Sequence, residues 1–85
     1  MNESKILELS AKENGINYYT VYNETSLNDR KFGIKAEMAE NKDDFEECEN
    51  LFLTEGEANA YCKWFAQNEV YPVALKDVLS NIFNI

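Results

Sequence analysis

The chain has no histidine, one proline and three glycines in 85 residues. The missing histidine removes the side chain that most often serves as a general base near neutral pH and as a zinc ligand. Its two cysteines, Cys48 and Cys62, cannot by themselves complete a four-ligand zinc site. Two thiols in a chain whose first residues, Met1-Asn2-Glu3-Ser4-Lys5-Ile6, lack a basic segment followed by an apolar run are expected to be free and reduced. Positive charge is also scarce. Eight Lys and Arg against sixteen Asp and Glu leave a net charge of −8. That balance argues against direct nucleic-acid binding and against docking on anionic membranes, both of which need clustered cations. No apolar run approaches the ~18 residues of a membrane helix. Gly-rich phosphate loops, nucleophile elbows and dinucleotide fingerprints are absent. The expectation is a cytoplasmic, non-enzymatic protein with no cofactor and no metal.

What is present supports folding. Hydrophobic residues make up 45% of the chain and aromatics 13%, well outside the composition of disordered segments. No repeat or linker divides residues 1–85, so a single small domain is expected.

Asn14-Gly15 is the strongest local signal, because both residues tolerate the positive φ of a two-residue hairpin turn. With those two in the loop, Glu13 faces Ile16, Ala11 faces Tyr18, Leu9 faces Thr20 and Leu7 faces Tyr22. Leu7, Leu9, Ala11, Ile16, Tyr18 and Tyr22 then share one side. Glu8, Ser10, Lys12, Asn17, Tyr19 and Val21 share the other. Without that turn, residues 4–12 read as a helix. Phe32, Ile34, Ala36 and Met38 alternate with Lys35 and Glu37 in a third strand, and Gly33 marks a bulge or a close backbone approach. Residues 39–46 read as an acidic turn and Glu47–Leu53 as a fourth strand. The phase of that strand is open: Cys48 and Phe52 lie on one side, Leu51 and Leu53 on the other.

Thr54-Glu55-Gly56-Glu57 is a capping box. The helix it starts carries Ala58, Tyr61, Cys62 and Phe65 on one stripe, with Trp64 at its edge, and ends near Asn68. Pro72 opens a second helix with Leu75, Val78, Leu79 and Ile82 inward, and Val70 and Val73 are expected to pack at the junction. The predicted fold is α+β: a four-stranded antiparallel meander followed by two C-terminal helices packed on one face (ββββαα).

Two surfaces then stand out. An uncovered sheet face bearing Tyr19 and Val21, with either Leu51 and Leu53 or Phe52 and with a rim at Trp64, is a candidate interface for a second copy. The acidic stretch Glu40, Asp43, Asp44, Glu46, Glu47 and Glu49 is a candidate docking surface for a basic partner, or in the extreme a nucleic-acid mimic. It lacks the spacing and central glycine of a calcium loop. Cys62 reads as a small core hydrophobe, and the carboxylates around Cys48 disfavour a reactive thiolate.

Phe32-Gly33-Ile34 and the run Asn68-Glu69-Val70-Tyr71-Pro72-Val73-Ala74-Leu75-Lys76-Asp77-Val78 are similar to motifs of a family of short, uncharacterised proteins from clostridial-type Gram-positive bacteria. The resemblance covers about two-thirds of the chain, from Tyr18 onward. It implies a bacterial cytoplasmic origin and no particular activity. Structurally, the same run reads as a corner anchored by Val70 and Leu75, with Pro72 restarting the helix.

Overall fold

The computed structural model describes residues 5–25, 27 and 29–84. Of the segment Met1–Ile6 read above for a basic and apolar signal, Met1–Ser4 lie outside the described residues. The order of elements is β1 (Lys5–Glu13), β2 (Ile16–Tyr22), β3 (Phe32–Met38), β4 (Asn41–Phe52), α1 (Glu55–Gln67) and α2 (Pro72–Phe83). The strands form one antiparallel sheet in the order β1-β2-β3-β4. Helix α1 lies over β1 and β2, and α2 over β3 and β4, so the expected α+β arrangement holds.

Asn14 and Gly15 both have positive φ, 51° and 77°, as their turn requires. Close to the turn the register is the expected one, with Glu13 opposite Ile16 and Ala11 opposite Tyr18. Farther along, it slips twice. Between Leu9 and Ala11, and again between Ile6 and Glu8, β1 spends two residues against one of β2. Leu9 therefore faces Tyr19 rather than Thr20, and Lys5 rather than Leu7 reaches Tyr22. These bulges correct the predicted sorting: Leu9 turns to the uncovered face and Ser10 turns toward the helices. The fully buried Thr20 explains the exchange. Its hydroxyl lies 2.6 Å from Ser10 Oγ and donates to Asn59 Oδ1 on α1, which Ser10 also reaches at 2.9 Å. A buried hydroxyl without a partner costs more than exposing part of a leucine.

Residues 39–46 are not a turn. Ala39 and Glu40 make the connection and β4 runs from Asn41, which lies opposite Met38; after a register shift that leaves residues 42–44 without β3 partners, Glu37 lies opposite Phe45 and Ala36 opposite Glu46. Acidic residues are poor strand formers, but an edge strand pairs on one side only and leaves such side chains in water. The open phase of β4 is settled by an irregularity opposite Gly33. Ile34 pairs with Cys48 and Phe32 with Phe52, and Asn50 between them adopts φ 59°. Cys48, Leu51 and Phe52 all end on the helix side, joined to the core. That core is built from Ile16, Tyr18, Ile34, Ala36, Phe52, Phe65, Leu75 and Leu79 with smaller neighbours.

At the start of α1, Thr54 Oγ1 accepts from the Glu57 N–H at 3.2 Å and donates to the Glu57 carboxylate at 3.3 Å. The carboxylate thus meets the hydroxyl rather than the Thr54 amide. Such a cap is worth about 1 kcal/mol. The helix closes with Glu69 in the left-handed region and the Val70 N–H on Phe65 O at 3.0 Å. Val70 and Leu75 are buried as expected, whereas Val73 is 86% exposed and packs on nothing at the junction. The neighbouring Pro72, at the first turn of α2, is buried.

The corner is fastened to the sheet by Tyr18, whose hydroxyl donates to Val70 O at 2.7 Å. Burial pushes this hydroxyl's pKa up to about 12. In the unfolded chain it ionises near 10. Stability is therefore fully present below pH ~10 and falls by about 1.4 kcal/mol per pH unit as the unfolded state ionises up to pH ~12. Urea titrations across that range should show the decline for the wild type. Tyr18→Phe should flatten the part due to this group, and an equally steep fall in the variant would reject the assignment.

Candidate functional site

Pairing fixes which side chains share the face that the helices leave uncovered. Three rows cross it: Lys12–Asn17–Glu37–Phe45, Leu9–Tyr19–Lys35–Glu47, and Ile6–Val21–Gly33. Ile6 and Leu9 are each 51% exposed and Phe45 50%. Tyr19 is half-buried between them, and Val21, beside the bare backbone of Gly33, is buried.

The centre of the face is a polar network. Tyr19 Oη donates to Glu37 Oε1 at 2.8 Å, and Lys35 Nζ sits 3.7 Å from Glu37 Oε2 and 4.7 Å from the centre of the Phe45 ring. Glu37 is only 5% exposed although nothing but its own strand neighbours flanks it in the rows. Burial, and then the hydrogen bond to Glu37, hold the Tyr19 hydroxyl's pKa above its ordinary value. The rows carry Lys12 and Lys35 against Glu37 and Glu47, so the face is charge-balanced in a chain of net charge −8.

The candidate interface residues separate. Tyr19 and Val21 meet on this face. Leu51 is in the core, Leu53 is exposed just before α1, and Trp64 stands on the helix layer. There it lines a concavity of about 450 Å³ with Ala60, Tyr61 and Ile82. Sequence reasoning missed Ile6, Leu9 and Phe45. Leu9 was hidden by a bulge that no composition signal marks, and Phe45 by the reading of its segment as a turn.

Glu40 sits in the connection before β4, and the other acidic residues lie along that edge strand. Glu40, Asp43 and Asp44 are exposed, and Glu46, Glu47 and Glu49 are partly buried. Strand alternation divides them: Glu47 joins the uncovered face, while Glu46 points toward α2 and lies 3.5 Å from Lys76 Nζ. Glu49 accepts from Asn23 Nδ2 at 3.2 Å. Among the described residues, no group of three or more acidic or cysteine side chains is arranged to hold a metal ion. The two thiols are unjoined. Burial pushes the pKa of each up to about 11, with Glu46 adding to the rise at Cys48 and the Thr20 and Ser10 hydroxyls opposing it at Cys62. Both are protonated at neutral pH. No helix among the described residues is long and apolar enough to cross a membrane.

Comparison with curated proteins gave no match, and comparison with solved structures gave none either. A family model, in contrast, matches residues 1–84, spanning the hairpin, the acidic edge and both helices. The chain therefore belongs to a family of unknown function, DUF6514.

Proposed function

We propose that this protein is a non-enzymatic interaction module that self-associates through the uncovered face of its sheet, in the cytoplasm of a bacterium. The observation that carries this reading is the pairing of half-exposed Ile6, Leu9 and Phe45 with a charge-balanced set of lysines and glutamates on that face. A second copy covering it removes apolar surface worth about 1 kcal/mol for each of these side chains. Both edges are poorer surfaces for a second copy. Two bulges break the ladder of β1, and β4 would set acid against acid.

Sedimentation equilibrium tests the idea, and salt gives it a sign. Two chains of net charge −8 repel each other, so association should tighten as NaCl rises from about 0.02 to about 0.5 M. Leu9→Arg, at a half-exposed position, should weaken association by about tenfold or more while leaving the thermal midpoint near the wild type's. A wild-type protein that stays monomeric at ~100 µM in high salt would end the proposal.

A second reading, docking of a basic partner on the acidic residues Glu40–Glu49, is favoured by one observation: all of them but Glu40 lie on an edge strand rather than in a turn. Its salt dependence is the reverse, because attraction between opposite charges is screened.

A further inference from the structure

We infer that an extended, lysine- or arginine-bearing polypeptide segment binds by adding as a fifth strand along β4. This inference rests on the second reading above and specifies its geometry.

Three observations converge. First, β4 is an edge strand whose pairing with β3 is regular over Phe45–Cys48, so its outer side there presents an evenly spaced backbone. Second, a groove of about 390 Å³ runs between this strand and α2, lined by Glu47, Cys48, Glu49, Leu51, Lys76 and Leu79 among others. Leu51 and Leu79 give it an apolar floor beneath a polar rim. Third, the Glu47 N–H donates to the carboxylate of the preceding Glu46 at 3.3 Å, and the same carboxylate oxygen lies 3.5 Å from Lys76 Nζ. That oxygen stands where the carbonyl of an added strand would accept, and Lys76 stands where a basic side chain of that strand would lie. The free protein satisfies its edge with groups of its own that imitate a basic peptide.

The charge selects the occupant. Asp43, Asp44, Glu46, Glu47 and Glu49 line the strand, with Lys42 in it and Lys76 across the groove. A second copy of β4 is repelled, whereas a cationic strand is attracted. Main-chain hydrogen bonds would supply affinity, and alternate side chains, one set meeting the acids and the other the groove floor, would supply selectivity.

The test uses the full chain and a labelled dodecapeptide of alternating lysine and valine, followed by fluorescence anisotropy at low salt. A matched peptide, methylated on its central backbone nitrogens, keeps the charge and side chains but cannot pair as a strand. The unmodified peptide should bind, and methylation should weaken it by about tenfold or more. Glu46→Lys with Glu47→Lys should weaken it comparably. Lys76→Ala should tighten it by roughly threefold, because a competing cation is gone; this direction is not one a damaged fold would produce. Equal binding of both peptides would overturn strand addition and leave acidic docking standing. No binding of either to the folded wild type would overturn both.

Discussion

Gly33→Ala should destabilise the protein by about 3 kcal/mol or more, and Gly33→Val by more still. A methyl group built at Gly33 overlaps the Cys48 carbonyl oxygen and lies 2.8 Å from Glu49 Cα. Both obstacles are main chain, so no rotamer change relieves them. The backbone must instead open where β3 faces the irregular stretch of β4. That stretch carries Asn50 in the left-handed region and delivers both Leu51 and Phe52 to the core. Opening it would therefore loosen the attachment of the last strand as well as relieve the clash. Urea unfolding monitored by tryptophan fluorescence provides the measurement. A change within about 0.5 kcal/mol for Gly33→Ala, the ordinary range for an innocuous substitution, would mean that the two strands do not approach this closely.

Phe52→Ala is the second large effect, at about 3–5 kcal/mol. Phe52 is fully buried at the end of β4 and meets Tyr61 of α1, with ring centres 5.0 Å apart, and Phe83 of α2 at 5.4 Å. Tyr61 and Phe83 are themselves 5.6 Å apart, so the three rings close a cluster joining the sheet to both helices. Truncation leaves a cavity bounded by groups from three elements, which cannot all relax into it. A domain of this size has a total stability of about 4–13 kcal/mol, so the loss takes a large share of it. Loss of near-ultraviolet circular dichroism at moderate urea, with Phe45→Ala as the half-exposed comparison, tests the assignment. If Phe52→Ala costs no more than Phe45→Ala, the cluster is not a keystone of the core.

The contrast between these two phenylalanines bears on function as well. Phe52 holds the layers together from the covered side of the sheet. Phe45, on the same strand but opposite Glu37, contributes to the face proposed for self-association. The acidic residues between and around them make the outer edge of β4 unsuitable for a second copy but suitable for a cation-bearing strand. Raising the salt should strengthen the first interaction and weaken the second, so one titration separates the two surfaces.

By itself the sequence determined the features that arise from local chemistry. Asn14-Gly15 sets the first turn, Thr54 and Glu57 start α1, Pro72 starts α2, and the alternation of Phe32 to Met38 sets β3; each depends on neighbours a few residues away. Gly33 likewise announced a close approach, since only a residue without Cβ fits there. Tertiary structure decided the rest. The bulge at Ser10 brings its hydroxyl to the buried Thr20 hydroxyl and to Asn59, and Asn59 comes from a helix nearly forty residues farther along the chain than Thr20. The acidic segment became a strand because β3 offered partners to Asn41 and to Phe45–Cys48, against the propensity of the glutamates among them. Which leucines and phenylalanines face outward followed from those long-range pairings, because a slip of one residue in a strand moves every later side chain to the opposite face.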